Sequence, residues 1–157
     1  MLRAIESFEQ DGEGDWVARL RCGHGQHVRH KPPFWTREWV TTPEGRAEKL
    51  GAPLECPLCD RFEMPAGFVA YKQTSVFDAH DIPAGLRKDH STKPGVWARI
   101  RILAGRLEYT VEAPLSRTFT LEPGTDGTVV AEVLHRVAPR SDDVRFYVEF
   151  YRRADSG

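Results

Sequence analysis

His90-Ser-Thr-Lys-Pro-Gly-Val-Trp-Ala-Arg-Ile-Arg-Ile-Leu-Ala-Gly105 is the stretch that decides the fold of this chain. Proline fixes φ and glycine accepts positive φ, so Pro94-Gly95 turns the chain sharply before Val96. From Val96 to Leu103 the residues alternate. Val96, Ala98, Ile100 and Ile102 share one face, and Trp97, Arg99, Arg101 and Leu103 share the other, as in a β-strand. Gly105 opens a second strand, Arg106 to Val111, so a hairpin is expected. A histidine just ahead of it can sit at a barrel mouth and point inward.

The surrounding sequence repeats this texture. Short strands are expected at Phe68 to Lys72, Arg117 to Leu121, Val129 to Leu134 and Val144 to Tyr151, separated by turn formers such as Glu122-Pro-Gly-Thr-Asp-Gly127. Many short strands at this spacing with little helix indicate a sandwich or barrel. Arg152 to Gly157 read as a frayed tail.

Upstream, residues 2–9 and 15–21 read as a hairpin around Asp11-Gly-Glu-Gly-Asp15. The second strand delivers the chain to Cys22-Gly-His24-Gly-Gln-His27-Val-Arg-His30. Thr42-Pro43-Glu44 supplies a capping hydroxyl, a proline for the first turn and an early acid. A helix is therefore expected to about Leu50, ending at Gly51. Cys56-Pro-Leu-Cys59 comes next, and a break near Glu63-Met-Pro-Ala-Gly67 separates residues 1–62 from 68–152.

Composition sets the class. The chain has 157 residues, 40% hydrophobic and 29% charged, with a formal net charge of −1, which is ordinary for a globular protein. A near-zero charge gives no general argument for nucleic acid or an anionic membrane. No apolar run approaches the ~18 residues of a spanning helix, and the acidic first fifteen residues do not resemble a secretory signal. A cytoplasmic location is the expectation. All three cysteines fall in the first 60 residues, an odd number that suits metal binding better than a disulfide framework.

Two residues between Cys56 and Cys59 let both thiolates reach one ion. Cys22 and His24 supply two more donors, completing the four N/S ligands that zinc prefers in a closed structural site. His27 and His30 are also in range. His24 is preferred because a one-residue spacer demands the least loop rearrangement. In so small a unit the ion would contribute directly to folding. Nearby, Arg19, Arg21, Arg29, Lys31 and Arg37 interleave with Phe34 and Trp35. Such a pattern can bind a nucleic-acid strand or dock a protein, or can simply be a solvated rim around a thin core.

These motifs carry two resemblances. Cys22-Gly-His24-Gly-Gln-His27-Val-Arg-His30-Lys-Pro-Pro33, Arg37-Glu-Trp39-Val40 and Cys56-Pro-Leu-Cys59 together resemble a small bacterial domain of unknown function, zinc-ribbon-like and α+β in character. His90 to Trp97, Leu103-Ala-Gly105-x-Leu-x-Tyr109, Leu134-His135-Arg-Val137 and Phe146-Tyr-Val-Glu149-Phe150 resemble the cupin domain of tellurite-resistance-like proteins. The implied fold is mainly β: a zinc-ribbon-like domain over residues 1–62, then a cupin-type double-stranded β-helix barrel over 68–152.

The cupin resemblance implies a divalent ion, Zn²⁺ or Fe²⁺, inside the barrel. His135 matches the second-motif histidine. Only His90 stands in the first motif, and Trp97-Ala98 occupies the place of its carboxylate. Glu149 is the candidate third ligand, provided the polar face of the last strand lines the lumen. Lys93, Arg99, Arg101 and Tyr147 are candidates for contacting a small oxyanion or metabolite. Three functions compete: a metal-binding stress-response protein with a small-ligand pocket, a metal-dependent cupin enzyme, and a nucleic-acid or protein docking module. No membrane partner is expected, and the resemblance makes a homodimer plausible.

Overall fold

The computed structural model describes residues 1–154, so residues 155–157 of the expected tail lie outside it. Four strands form the front sheet: β1 (Leu2–Gln10), β2 (Trp16–Leu20), β3 (Gly25–His27) and β4 (Pro53–Glu55). They are antiparallel in the order β3-β2-β1-β4. The β1–β2 turn closes on Asp11, whose carboxylate accepts from the N–H groups of Glu13 and Asp15, both at 2.9 Å. The Thr42 hydroxyl caps helix α1 (Pro43–Glu48) by accepting from the Gly45 N–H at 3.0 Å. This helix stops short of Leu50, and the chain turns at Gly51 with φ +85°. Cys56 precedes α2 (Pro57–Asp60), with Pro57 in its first turn.

The rear part holds β5 (Phe68–Gln73), β6 (Phe77–Asp78), α3 (Ala84–Arg87), β7 (Trp97–Ala104), β8 (Leu107–Val111), β9 (Arg117–Leu121), β10 (Gly127–Val129), β11 (His135–Pro139) and β12 (Arg145–Arg153). One sheet runs β10-β7-β12-β5, with β6 also on β12, and a second runs β11-β8-β9. The fold is mainly β, as the alternation implies.

Three expectations need correction. β7 and β8 are not a hairpin, because they lie in different sheets. At Gly105 (φ +69°) the chain steps from one sheet to the other. A Cβ there would come within 2.5 Å of the Ser141 hydroxyl, so this corner needs glycine. Val129 to Leu134 is not a strand either. β10 ends at Val129, the chain turns through Ala131 and Glu132 (φ +65°), and the strand proper begins at His135. Long-range bonds hold that turn: the Arg3 guanidinium donates to the Ala131 carbonyl at 2.6 Å, and Arg21 pairs with Glu132 at 3.0 Å. Finally, β12 continues through Arg153, so the expected tail begins later.

The two parts share one hydrophobic core. Trp97, fully buried at the start of β7, reaches forward and donates its indole N–H to the Cys22 carbonyl at 2.7 Å. Phe62 meets Phe119 edge-on with ring centroids 5.3 Å apart.

Candidate metal centre and cavity

Cys22 and His24 sit in the tight turn between β2 and β3. The Leu20 carbonyl accepts from the Gly23 N–H at 2.8 Å, and the Leu20 N–H donates to the His24 carbonyl at 2.9 Å. Gly23 takes φ +101°, and a Cβ there would lie 2.4 Å from the Phe68 ring. Only glycine lets the turn bring Cys22 and His24 to one side.

Cys56 and Cys59 approach from α2. All four side chains are buried, and their donor atoms lie within 4.8 Å of one another. His24 Nδ1 is 3.3 Å from the Cys22 and Cys56 sulfurs and 3.6 Å from that of Cys59, and the Cys22 and Cys56 sulfurs are 3.9 Å apart. A tetrahedron with Zn–S near 2.3 Å and Zn–N near 2.0 Å has edges of roughly 3.5–3.8 Å, so the cage has the dimensions of a four-coordinate site.

The surroundings favour a cation. His24 Nε2 lies 2.7 Å from the Glu63 carbonyl, which can only accept. Nε2 therefore carries a proton, and Nδ1 is the nitrogen turned toward the sulfurs, the usual orientation of a metal-bound imidazole. Burial opposes charge on His24, but its hydrogen bonds and attraction to Cys22 and Cys56 prevail and push its pKa up to about 9. Hydrogen bonds to Cys22 hold the Cys56 thiol well below its usual range, and its bonds to Cys22 and Cys56 push Cys59 well above. Three buried sulfurs and one imidazole nitrogen converging on one point form a donor set that a dication can satisfy. Three thiolates around Zn²⁺ would leave one negative charge, which the buried Arg3 is placed to offset.

His27 and His30 do not join the cage. His27 Nε2 bonds Asp11 at 2.8 Å, and His30 Nδ1 accepts from the Arg37 N–H at 3.0 Å. The basic loop is largely neutralised: Arg29 and Lys31 both pair with Asp15, and Arg19 pairs with Glu9. Phe34 nevertheless stands out into solvent, 85% exposed.

Between the rear sheets lies a cavity of about 280 Å³. Ala98, Ile100, Val148 and Phe150 face it from β7 and β12, Val129 from β10, and His135 and Val137 from β11. His90 and His135 meet there, joined by an antiparallel backbone bridge, with ring centroids 4.1 Å apart. Lys93 also lines the cavity.

Glu149, Arg99, Arg101 and Tyr147 do not. In the β7–β12 register Glu149 opposes Arg99 and Tyr147 opposes Arg101, on the sheet face away from Ala98, Ile100, Val148 and Phe150. Arg101 ties Glu149 down at 3.0 Å and also bonds Asp126 and the Tyr151 hydroxyl. The Tyr151 hydroxyl and Arg101 hold the Glu149 carboxyl below its usual range. The apolar face of β12, not the polar one, lines the lumen. The imidazole pair therefore has no third ligand from Glu149, and of the four residues expected to meet an oxyanion only Lys93 lines the cavity. Lys72 and Thr92, missed in the sequence, line the cavity instead. Trp97, Arg3 and Glu63, the partners of the metal cage, were also missed. The one available signal was Trp97, a large apolar residue next to Arg99 and Arg101 on its strand face.

Residues 7–63 match a family model described as a protein of unknown function (DUF3565), and residues 72–148 match the TehB-like domain. A probable S-adenosyl-L-methionine-dependent methyltransferase, TehB of Haemophilus influenzae, is 28% identical over 88 residues, covering 53% of this chain and 30% of that protein. The uncharacterized protein YeaR of Escherichia coli K12 is 23% identical over 97 residues, 57% of this chain and 82% of that one. Among solved structures, one of an E. coli K12 protein superposes with a TM-score of 0.54 at 22% identity, over 59% of this chain and 98% of its own. The crystal structure of H. influenzae TehB gives 0.52 at 25% identity, over 56% of this chain and 32% of its own. The chain thus matches under a third of the methyltransferase's length.

Proposed function

From a DUF3565 domain joined to a TehB-like domain, we infer a metal-binding, tellurite-resistance-like stress-response protein. In this reading zinc holds the front module together, and the rear barrel, of cupin type, receives a small ligand without turning it over. The observation that carries it is the convergence of three sulfurs and one imidazole nitrogen in a buried cage of zinc dimensions. A closed four-donor set offers a substrate no coordination position, which favours a structural ion. The cavity supports binding rather than catalysis, since its imidazoles have lost the carboxylate that a catalytic ion would draw on. Methyl transfer belongs to a relative of which this chain matches too little to carry the activity over.

Metal analysis of purified wild type beside Cys59→Ser and His135→Ala tests the reading. One zinc per chain is expected, lost in Cys59→Ser and retained in His135→Ala. A second ion lost in His135→Ala would replace it with that of a metal-dependent barrel enzyme.

A further inference from the structure

The polar groups of the rear cavity are sorted by depth and by kind. Its deep wall is apolar (Ala98, Ile100, Val129, Val137, Phe146) except for His135, itself only 4% exposed. Lys72, Ser91 and Lys93 are exposed and mark its mouth. His135 Nδ1 lies 3.0 Å from the Val133 carbonyl, and His90 Nδ1 lies 2.9 Å from the Lys88 carbonyl. A carbonyl only accepts, so each Nδ1 carries a proton, and on the neutral His135 ring Nε2 is left as a bare acceptor. Neither Nε2 has a protein partner among the described residues. Burial, reinforced by His90, keeps His135 neutral, with its pKa lowered to about 4.

The deep end therefore offers the lone pair of His135, and the rim offers ammonium groups. An inorganic oxyanion, an acceptor at every corner, finds nothing to bond at depth. A molecule with a hydroxyl or N–H at one end and an anionic group at the other satisfies both ends. We propose that the cavity takes a small organic acid of this kind: its carboxylate at Lys72 and Lys93, its apolar body against Ile100, Val129, Phe146 and Phe150, and a hydroxyl or N–H donating to Nε2 of His135. The volume suits it. A cavity of about 150 Å³ holds benzene, so 280 Å³ admits roughly ten to twelve heavy atoms. This rests on the proposed role of the barrel as a small-ligand binder, and it names the ligand's chemical class.

Isothermal titration of the zinc-loaded full chain with 4-hydroxybenzoate, benzoate, sodium nitrate and sodium tellurite tests it. Wild type is expected to bind 4-hydroxybenzoate about fivefold to tenfold more tightly than benzoate, the worth of one net hydrogen bond, and to give no heat with either inorganic anion. His135→Phe should abolish the preference for the hydroxyl, and Lys93→Gln should weaken both aromatic acids by the same factor. The wild-type comparison needs no variant, so a misfolded mutant does not block the test. Equal binding of the two aromatic acids, or a hydroxyl preference that survives His135→Phe in a folded variant, would overturn the proposal. Binding of nitrate or tellurite instead would overturn it while leaving the small-ligand reading standing. Silence from all four would remove both.

Discussion

Gly23 carries more of the candidate metal centre than its size suggests. It holds φ +101° between two ligands, and a methyl there would meet the Phe68 ring at 2.4 Å. Gly23→Ala should cost roughly 2 kcal/mol or more in urea denaturation, from backbone strain together with the clash, and should speed zinc loss to a chromophoric chelator. An unchanged midpoint would mean the turn has slack that the geometry does not suggest. His135 makes a second prediction at this scale. Burial lowers its pKa to about 4 from an ordinary 6.5, so the unfolded chain takes up a proton that the folded chain refuses. The stability from its neutral form is complete above about pH 6.5 and is lost as the pH falls toward 4, by about 3 kcal/mol in all. Asp89 and the nearby His90 act on the same ring in opposite senses. Subtracting the stability–pH curve of His135→Phe from that of wild type should isolate this slope, and parallel curves would contradict it. The CxxC pair and the Cys-x-His pair were legible in the sequence because chelate spacing is local. Arg3 was not, because its partner Ala131 lies 128 residues away.

Among the elements, β7 joins the two sites. Trp97 bonds the Cys22 carbonyl and packs edge-on against His24 at 5.3 Å between ring centroids, while its neighbours Val96 and Ala98 line the cavity. Period-two alternation makes this unavoidable: one strand presents one face to the Cys/His cage and the other to the cavity. Trp97→Phe keeps the ring but leaves a buried carbonyl unpaired, at a cost of about 1–3 kcal/mol. The expected signs are a lower denaturation midpoint and faster zinc release, and an unaltered release rate would argue that the indole bond does not support the cage. The strand positions around β7 were readable, since Ala98, Ile100 and Ile102 alternate with Arg99 and Arg101. The pairing of β7 with β10 and β12 rather than β8 was not, because Gly105 turns the chain out of one sheet and into another.

For the whole molecule, the contacts of Arg3, Arg21, Phe62 and Trp97 join the front module to the rear sheets through one core. Removing the metal, by chelator or by Cys59→Ser, should therefore lower the melting of the entire chain as a single transition, since metal binding energy is folding energy here. Two separated transitions, with the rear one unmoved by metal loss, would show that the interface transmits nothing. Charge patterning acts at this scale as well. The basic loop that invites a nucleic-acid reading is matched by Asp11, Asp15 and Glu9, which fold back onto it.

By itself the sequence determined what depends on near neighbours: candidate metal donors at chelating intervals, a capped helix after Thr42, and strands whose two faces are told apart by their residues. Tertiary structure alone decided which of those faces looks inward. Alternation distinguishes Glu149 from Val148 but cannot say which meets the cavity, because that depends on where the opposing sheet stands. The same holds for the turn at Ala131-Glu132, which reads as strand until Arg3 and Arg21 arrive from the other end of the chain.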